Sequence, residues 1–176
     1  MDVAATNCRI QVIDRHEDID AAVNDLRNSN IIGFDTETKP SFKRGEHNTV
    51  SLLQLSNAQC CYLFRLHKIG FSTAIKNLLE DAGVRKIGLS VHDDFRALSH
   101  WMPMRPTNFI ELQYYVKAFG IEEMSLQKIF AIIFNKKISK RQQLSNWEAP
   151  TLNDAQQLYA ATDAWACREI YLELHK

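Results

Sequence analysis

An aspartate and a glutamate stand one residue apart at the end of an apolar run, in IIGFDTETKP, residues 31–40. Side chains at i and i+2 of a strand share a face, so the Asp35 and Glu37 carboxylates meet and repel. Either the strand ends in water, or something positive lies between them. Two other places pose the same question. Asp93 and Asp94 follow KIGLSVH at the start of a helical stretch. Acids there complement the helix dipole, yet with Phe95 and Leu98 packing inward, one of the two can face the sheet edge. Asp163 sits in LYAATDAWAC among small and apolar residues, one turn after Tyr159, so the two share a helix face. A carboxylate there is costly to bury unless it is paired or metal-bound. Carboxylate oxygens are the donors that the hard cations Mg²⁺ and Mn²⁺ prefer.

These residues must be positioned by separate elements. Ile19, Ala22, Val23 and Leu26 recur at helical spacing, which predicts a helix from about Asp18 to Asn28. IIGFDTET reads as a buried strand. TVSLLQLS and QCCYLFRL are two further strands joined by the short connection NAQ. STAIKNLLED is a helix with Ser72 as N-cap and Gly83 just past its end. VRKIGLS is a strand, HDDFRALSHWM a helix ended by Pro103, and TNFIEL a short strand. LQYYVKAFG, SLQKIFAIIF and the stretch from Thr151 to Lys176 are helical, the last opening on a capping-box-like Thr151 and Asp154. Between the last two helices runs a long polar loop, NKKISKRQQLSNWEAP, with Lys136, Lys137, Lys140 and Arg141. Long loops inside compact domains are often functional. Consecutive strands followed by strands alternating with helices predict an α/β architecture, a mixed sheet flanked by helices.

Length and composition narrow the possibilities. The 176 residues suit one domain, 1–176, with a sizeable core. No apolar run approaches the roughly 20 residues that span a membrane. The N-terminus lacks the apolar stretch of a signal peptide. The expected location is therefore cytoplasmic, with no membrane association. The four cysteines form no CxxC pair, which argues against a zinc site, and they read as buried thiols. The 21 basic and 21 acidic residues balance. If four acids serve as metal ligands, the remaining surface is net positive, so a polyanionic substrate is compatible with the charge.

FDTET, KIGLSVHDDFRAL and LYAATDA, in that order, resemble the three motifs of the DEDDy 3′–5′ exonucleases. The similarity is to the RNase D and Werner-syndrome exonuclease branch of the DnaQ-like, ribonuclease-H-related superfamily, and extends from about residue 10 to 176. SLLQLS and LSNWEAPTLNDAQQLYAATDA also look like that branch. The resemblance implies a ribonuclease-H-like sheet whose first three strands are antiparallel and whose later strands are parallel. It implies catalytic residues Asp35, Glu37, Asp94, Tyr159 and Asp163. The family pattern K-x-G-x-x-x-x-x-D-x-x-x-L falls on Lys86, Gly88, Asp94 and Leu98, which selects Asp94 over Asp93. Glu111 stands where many relatives carry Asp, outside the four ligands.

On this resemblance, the four acids hold two divalent cations, Mg²⁺ or Mn²⁺, with Asp35 bridging them. Tyr159 orients the attacking water. The expected partner is nucleic acid, DNA or RNA, with a free 3′ end, single-stranded or frayed, cut to nucleoside 5′-monophosphates. Thr38, Lys39, Lys43 and Arg44, just after the first motif, and Lys140 and Arg141 in the long loop are candidate nucleic-acid contacts, since bases of this kind position phosphates. Trp147 reads as a base-stacking residue or, more simply, a loop anchor. A binding or scaffold module acting through a partner is the competing expectation. The chain has no room for the helical modules that follow such a domain in RNase D, so the reading implies a free-standing catalytic unit.

Overall fold

The computed structural model describes residues 1–176. Its main sheet has six strands: β2 (Arg9–Ile13), β3 (Ile31–Thr38), β4 (Val50–Ser56), β5 (Cys60–Arg65), β6 (Arg85–Gly88) and β7 (Phe109–Glu111), in spatial order β2-β5-β4-β3-β6-β7. β3, β4 and β5 form an antiparallel meander, and β6 and β7 extend it in parallel from β3. The chain therefore has the mixed, ribonuclease-H-like sheet its motifs suggest. The addition is β2, an edge strand that pairs in parallel with β5. Its residues are mostly half-buried, so the sharp alternation that announces a strand is missing. A second, two-stranded pairing joins β1 (Asp2–Val3) to β8 (Lys136–Lys137), which places two bases of the long loop in a strand.

The helices are α1 (Ile19–Arg27), α2 (Leu66–Ile69), α3 (Thr73–Leu79), α4 (Val91–Leu98), α5 (Leu112–Tyr115), α6 (Leu126–Phe134) and α7 (Asp154–Leu174). Ser72 caps α3 by accepting the Ile75 amide. In the β4–β5 turn, Asn57 Oδ1 accepts the amides of Gln59 and Cys60. α4 stops at Leu98, well before Pro103. The cap of α7 differs from the Thr151–Asp154 expectation: the capping box is Asn153 with Gln156, two residues further on. Thr151 lies too early for its side chain to meet the first free amides of the helix. No helix is long and apolar enough to cross a membrane.

Strand alternation assigns the two faces of β3. Ile32 and Phe34 enter the core shared with α1, α3 and α4, as do Leu53 and Leu55 of β4. The opposite face carries Gly33, Asp35 and Glu37 on β3 and Leu52 and Gln54 on β4. Here α7 lies across the sheet, with Tyr159, Ala160, Ala161 and Ala164 packed on Leu52, Cys61 and Leu63. Its run of alanines permits close approach. β3 has no side chain at Gly33 to hold it off: a Cβ there would fall 1.8 Å from the Ala164 carbonyl oxygen. The Arg168 guanidinium fixes the same approach by donating to the Ile31 carbonyl at 3.0 Å.

Candidate active site

β6 pairs with β3 only over Ile31–Gly33 and ends at Gly88. The C-terminal half of β3 is therefore unpaired on that side. There the carboxylates gather. Oxygens of Asp35, Glu37 and Asp163 all lie within 4.8 Å of one another. Asp35 and Glu37 come from the face toward α7, and Asp163 comes down from α7 itself. Asp94 arrives from the far side on α4 and accepts a 2.6 Å hydrogen bond from the Thr36 hydroxyl. Asp93 instead stays outside, bonded to Ser90 and paired with Arg96. The structure thus brings Asp35, Glu37 and Asp163 into one cluster and sets Asp94 beside it.

The start of α4 is held in an unusual way. Ser90 adopts a left-handed backbone, φ 58°, at the sharp turn out of β6. Glu111 accepts the Ser90 amide at 2.8 Å and the Val91 amide at 2.6 Å. Its carboxylate thus occupies the positive end of the helix that carries Asp94. Glu111 therefore acts on the site at one remove, by fixing the helix start.

Tyr159 is buried on α7, one turn before Asp163, and its ring stacks on that of Trp147 at 5.9 Å. Trp147 is fully buried, which makes it a loop anchor rather than a platform for a base. The segment around it is strapped to the sheet by Arg65. This guanidinium is buried without an acidic partner and donates to the carbonyls of Trp147, Ala149 and Pro150. Glu148 in the same segment accepts the Ser51 hydroxyl at 2.8 Å, and Ser51 in turn accepts the Lys39 amide at 3.2 Å. The loop that looks long and free in sequence is thus tied to the end of β3 and to the ring of Tyr159.

Charge at the cluster is unrelieved. None of the seven ion pairs in the structure involves Asp35, Glu37, Asp94 or Asp163. Burial, with repulsion from Asp163, holds the Asp35 carboxyl well above the usual range. Burial and the neighbouring acids push Glu37 up to about 10 and Asp94 up to about 8. Asp163 is raised by burial to about 7, with the Tyr159 hydroxyl partly offsetting the rise. These carboxyls bind protons more tightly in the folded chain than in the unfolded one. Their contribution is full below the ordinary carboxylate range, about pH 4, and is lost as pH rises through the folded values. The metal-free protein is therefore expected to lose stability steadily from about pH 5 to pH 9. Calorimetric melting in chelator at a series of pH values checks this; a melting temperature that climbs over that interval would contradict it.

The remaining candidates separate by position. Lys140 lines the cleft with Asp35, Thr36, Glu37, Tyr159 and Asp163, together with Ser125, Gln127 and Gln143 from α6 and the following loop. Arg141 lines a neighbouring hollow with Ala4, Leu158 and Tyr159, and shares another with Lys140. Thr38 is half-buried where the β3–β4 register shifts. Lys39, Lys43 and Arg44 are exposed in the connection that leaves the cluster. Local pattern gave no sign of Gln54, Thr36, Gln127 or Gln143. Only Gln54 carries a signal, polarity within an apolar run and in register with an acid; Thr36, Gln127 and Gln143 carry none.

The family model described as 3′–5′ exonuclease matches residues 10–176. Exonuclease 3′-5′ domain-containing protein 2 of Drosophila melanogaster is 34% identical over an alignment that covers 94% of this chain and 30% of that protein. The bifunctional 3′-5′ exonuclease/ATP-dependent helicase WRN of Mus musculus is 32% identical over 164 residues, 90% of this chain and 12% of that protein. The chain thus spans less than a third of the length of either relative. Among solved structures, the Aedes aegypti Nibbler EXO domain superposes with a TM-score of 0.88 at 22% identity, covering 98% of this chain and 91% of that one.

Proposed function

The chain belongs to the 3′–5′ exonuclease family, and from that premise we propose that residues 1–176 act as one catalytic domain that hydrolyses phosphodiester bonds of DNA or RNA from the 3′ end, releasing nucleoside 5′-monophosphates. The observation that carries this reading is the convergence of Asp35, Glu37 and Asp163 within 4.8 Å, with Asp94 beside them and none of the four in an ion pair. Burying like charges together is costly unless a cation answers them. A module that only binds nucleic acid has no use for a cluster of acids that repels the backbone it must hold.

Two divalent cations, Mg²⁺ or Mn²⁺, suit this all-oxygen donor set; when bound they supply a nucleophile at neutral pH and offset the charge that builds on the phosphate. Asp35, Glu37 and Asp163 would hold one, and Asp35 with Asp94 the other. The protein's own groups do the rest. Tyr159 keeps its proton, because burial and the adjacent acids raise its pKa far above neutrality. It serves as a hydrogen-bond partner that orients the attacking water, and not as a base. Lys140 lines the cleft and pairs with the phosphate of the terminal nucleotides. Thr38, Lys39, Lys43, Arg44 and Arg141 guide the strand further out, without reading its sequence.

The test uses 5′-labelled single-stranded DNA and RNA of equal sequence, with Mg²⁺, Mn²⁺ or chelator. A ladder of products shortened from the 3′ end is expected with either metal and none with chelator, while a circular substrate stays whole. Absence of a ladder on both polymers with both metals would refute the proposal, and cleavage of the circle would replace it with an internal nuclease.

A further inference from the structure

One buried polar side chain at the cluster has no place in the scheme above. Gln54 lies in the middle of β4, within the otherwise apolar run Leu52, Leu53 and Leu55, and is fully buried. It stands opposite Asp35 in the antiparallel ladder, so its side chain shares the face of Asp35 and Glu37. Its amide Nε2 lies 3.4 Å from Asp35 Oδ2, 3.5 Å from Glu37 Oε1 and 3.3 Å from the Ala160 carbonyl oxygen of α7. The Ala160 carbonyl can only accept, so the NH₂ end faces it, with an oxygen of each carboxyl group in reach of the same amide. The other end, Oε1, is buried with no partner. An unpaired buried acceptor is destabilising. A leucine or methionine, like the residues on either side, would fill the space without that cost.

We infer that Gln54 is a positioning residue of the carboxylate cluster: its amide ties one oxygen of Asp35 and one of Glu37 to the backbone of α7, and so sets how tightly divalent cations are taken up. The inference rests on the metal-dependent reading given above. The amide engages Asp35 and Glu37 from behind, which leaves their second oxygens for the cleft. Through Ala160, which adjoins Tyr159 and precedes Asp163 by less than one turn, it also ties the β3 acids to the helix that brings the third acid. Hydrogen-bond partners of metal ligands typically account for about 10–100-fold in metal affinity.

The experiment measures Mn²⁺ binding by titration calorimetry, and the Mn²⁺-induced rise in melting temperature, for the wild-type chain and for Gln54→Met and Gln54→Leu. Both variants are expected to fold and to melt, metal-free, at or above the wild-type temperature, because the orphaned Oε1 is gone. Both are expected to bind Mn²⁺ about 10–100-fold more weakly, and excess Mn²⁺ should restore most of the turnover. Wild-type affinity in the methionine variant would overturn the assignment. So would a metal-free melting temperature that falls in both variants, or their failure to fold, since Gln54 would then be structural. A wild-type chain that takes up neither Mn²⁺ nor Mg²⁺ would refute the metal-dependent reading itself, whatever the variants do.

Discussion

Asp35→Asn is expected to lower turnover by about a thousandfold or more and, in the same protein, to raise the melting temperature of the metal-free form. Asp35 is the carboxylate through which both proposed cation positions run. Loss of several kcal/mol of charge stabilisation in the transition state corresponds to roughly three decades in rate. The gain in stability has the same origin. Without cations, the half-buried Asp35 lies against Asp163 and Glu37, and its carboxyl is held above the ordinary range by desolvation and repulsion. An amide of the same shape is neutral without taking up a proton on folding, so that cost disappears. Relief at such a site is commonly about 0.5–2 kcal/mol, or a rise of a few degrees for a chain of this size. Single-turnover cleavage of a labelled oligonucleotide and calorimetric melting in chelator give the two readouts. An active variant would move the catalytic centre elsewhere; an unchanged or lower melting temperature would mean that the cluster is not strained in the folded chain.

The second large effect is expected at a residue with no functional group. In Gly33→Ala, the added Cβ would meet the Ala164 carbonyl oxygen at 1.8 Å and the carbonyl carbon at 2.8 Å. Backbone cannot rotate away as a side chain can, so α7 must retreat by more than about 1 Å to reach an ordinary contact distance. Ala164 follows Asp163 directly, and Gly33 lies two residues before Asp35 on the same face of β3. The retreat therefore widens the gap between the two acids. Overpacking of this kind costs about 1–3 kcal/mol, and an ångström of misplacement in a catalytic constellation costs about 100-fold in rate. Denaturant unfolding and turnover measured on one preparation check both. A variant with wild-type stability and rate would show that the helix is not seated on the strand as described.

Gly33 and Gln54 also mark where the sequence stops being legible. Asp35 and Glu37 stand out because their spacing has meaning within one strand. Tyr159 and Asp163 stand out because theirs has meaning within one helix. The Asp93–Asp94 choice is different: local pattern offers both and the resemblance selects Asp94, while the physical difference, the Thr36 hydroxyl on Asp94 against Ser90 and Arg96 on Asp93, is visible only in space. Gln54 faces Asp35 through strand register, which a single sequence does not display. The bases divide in the same manner. Lys140 and Arg141 are neighbours in the chain and line one hollow together, yet only Lys140 also reaches the carboxylate cleft. The strand Arg9–Ile13 escapes the pattern because an edge strand with half-buried residues alternates weakly, and the cap of α7 shifts by two residues because Asn153 is the residue whose side chain reaches the first free amides.

The strap formed by Arg65 has a bearing on ionic strength. Its guanidinium grips three backbone carbonyls and no carboxylate, inside the protein, where mobile ions do not reach. The exposed bases Lys39, Lys43 and Arg44 lie in the solvent, where added salt would weaken the hold on a phosphate chain proposed for them. On the proposed function, salt would therefore act on the phosphate contacts and not on the strap. It would loosen the proposed grip on the polymer and leave the seat of Trp147, and with it the ring of Tyr159, undisturbed.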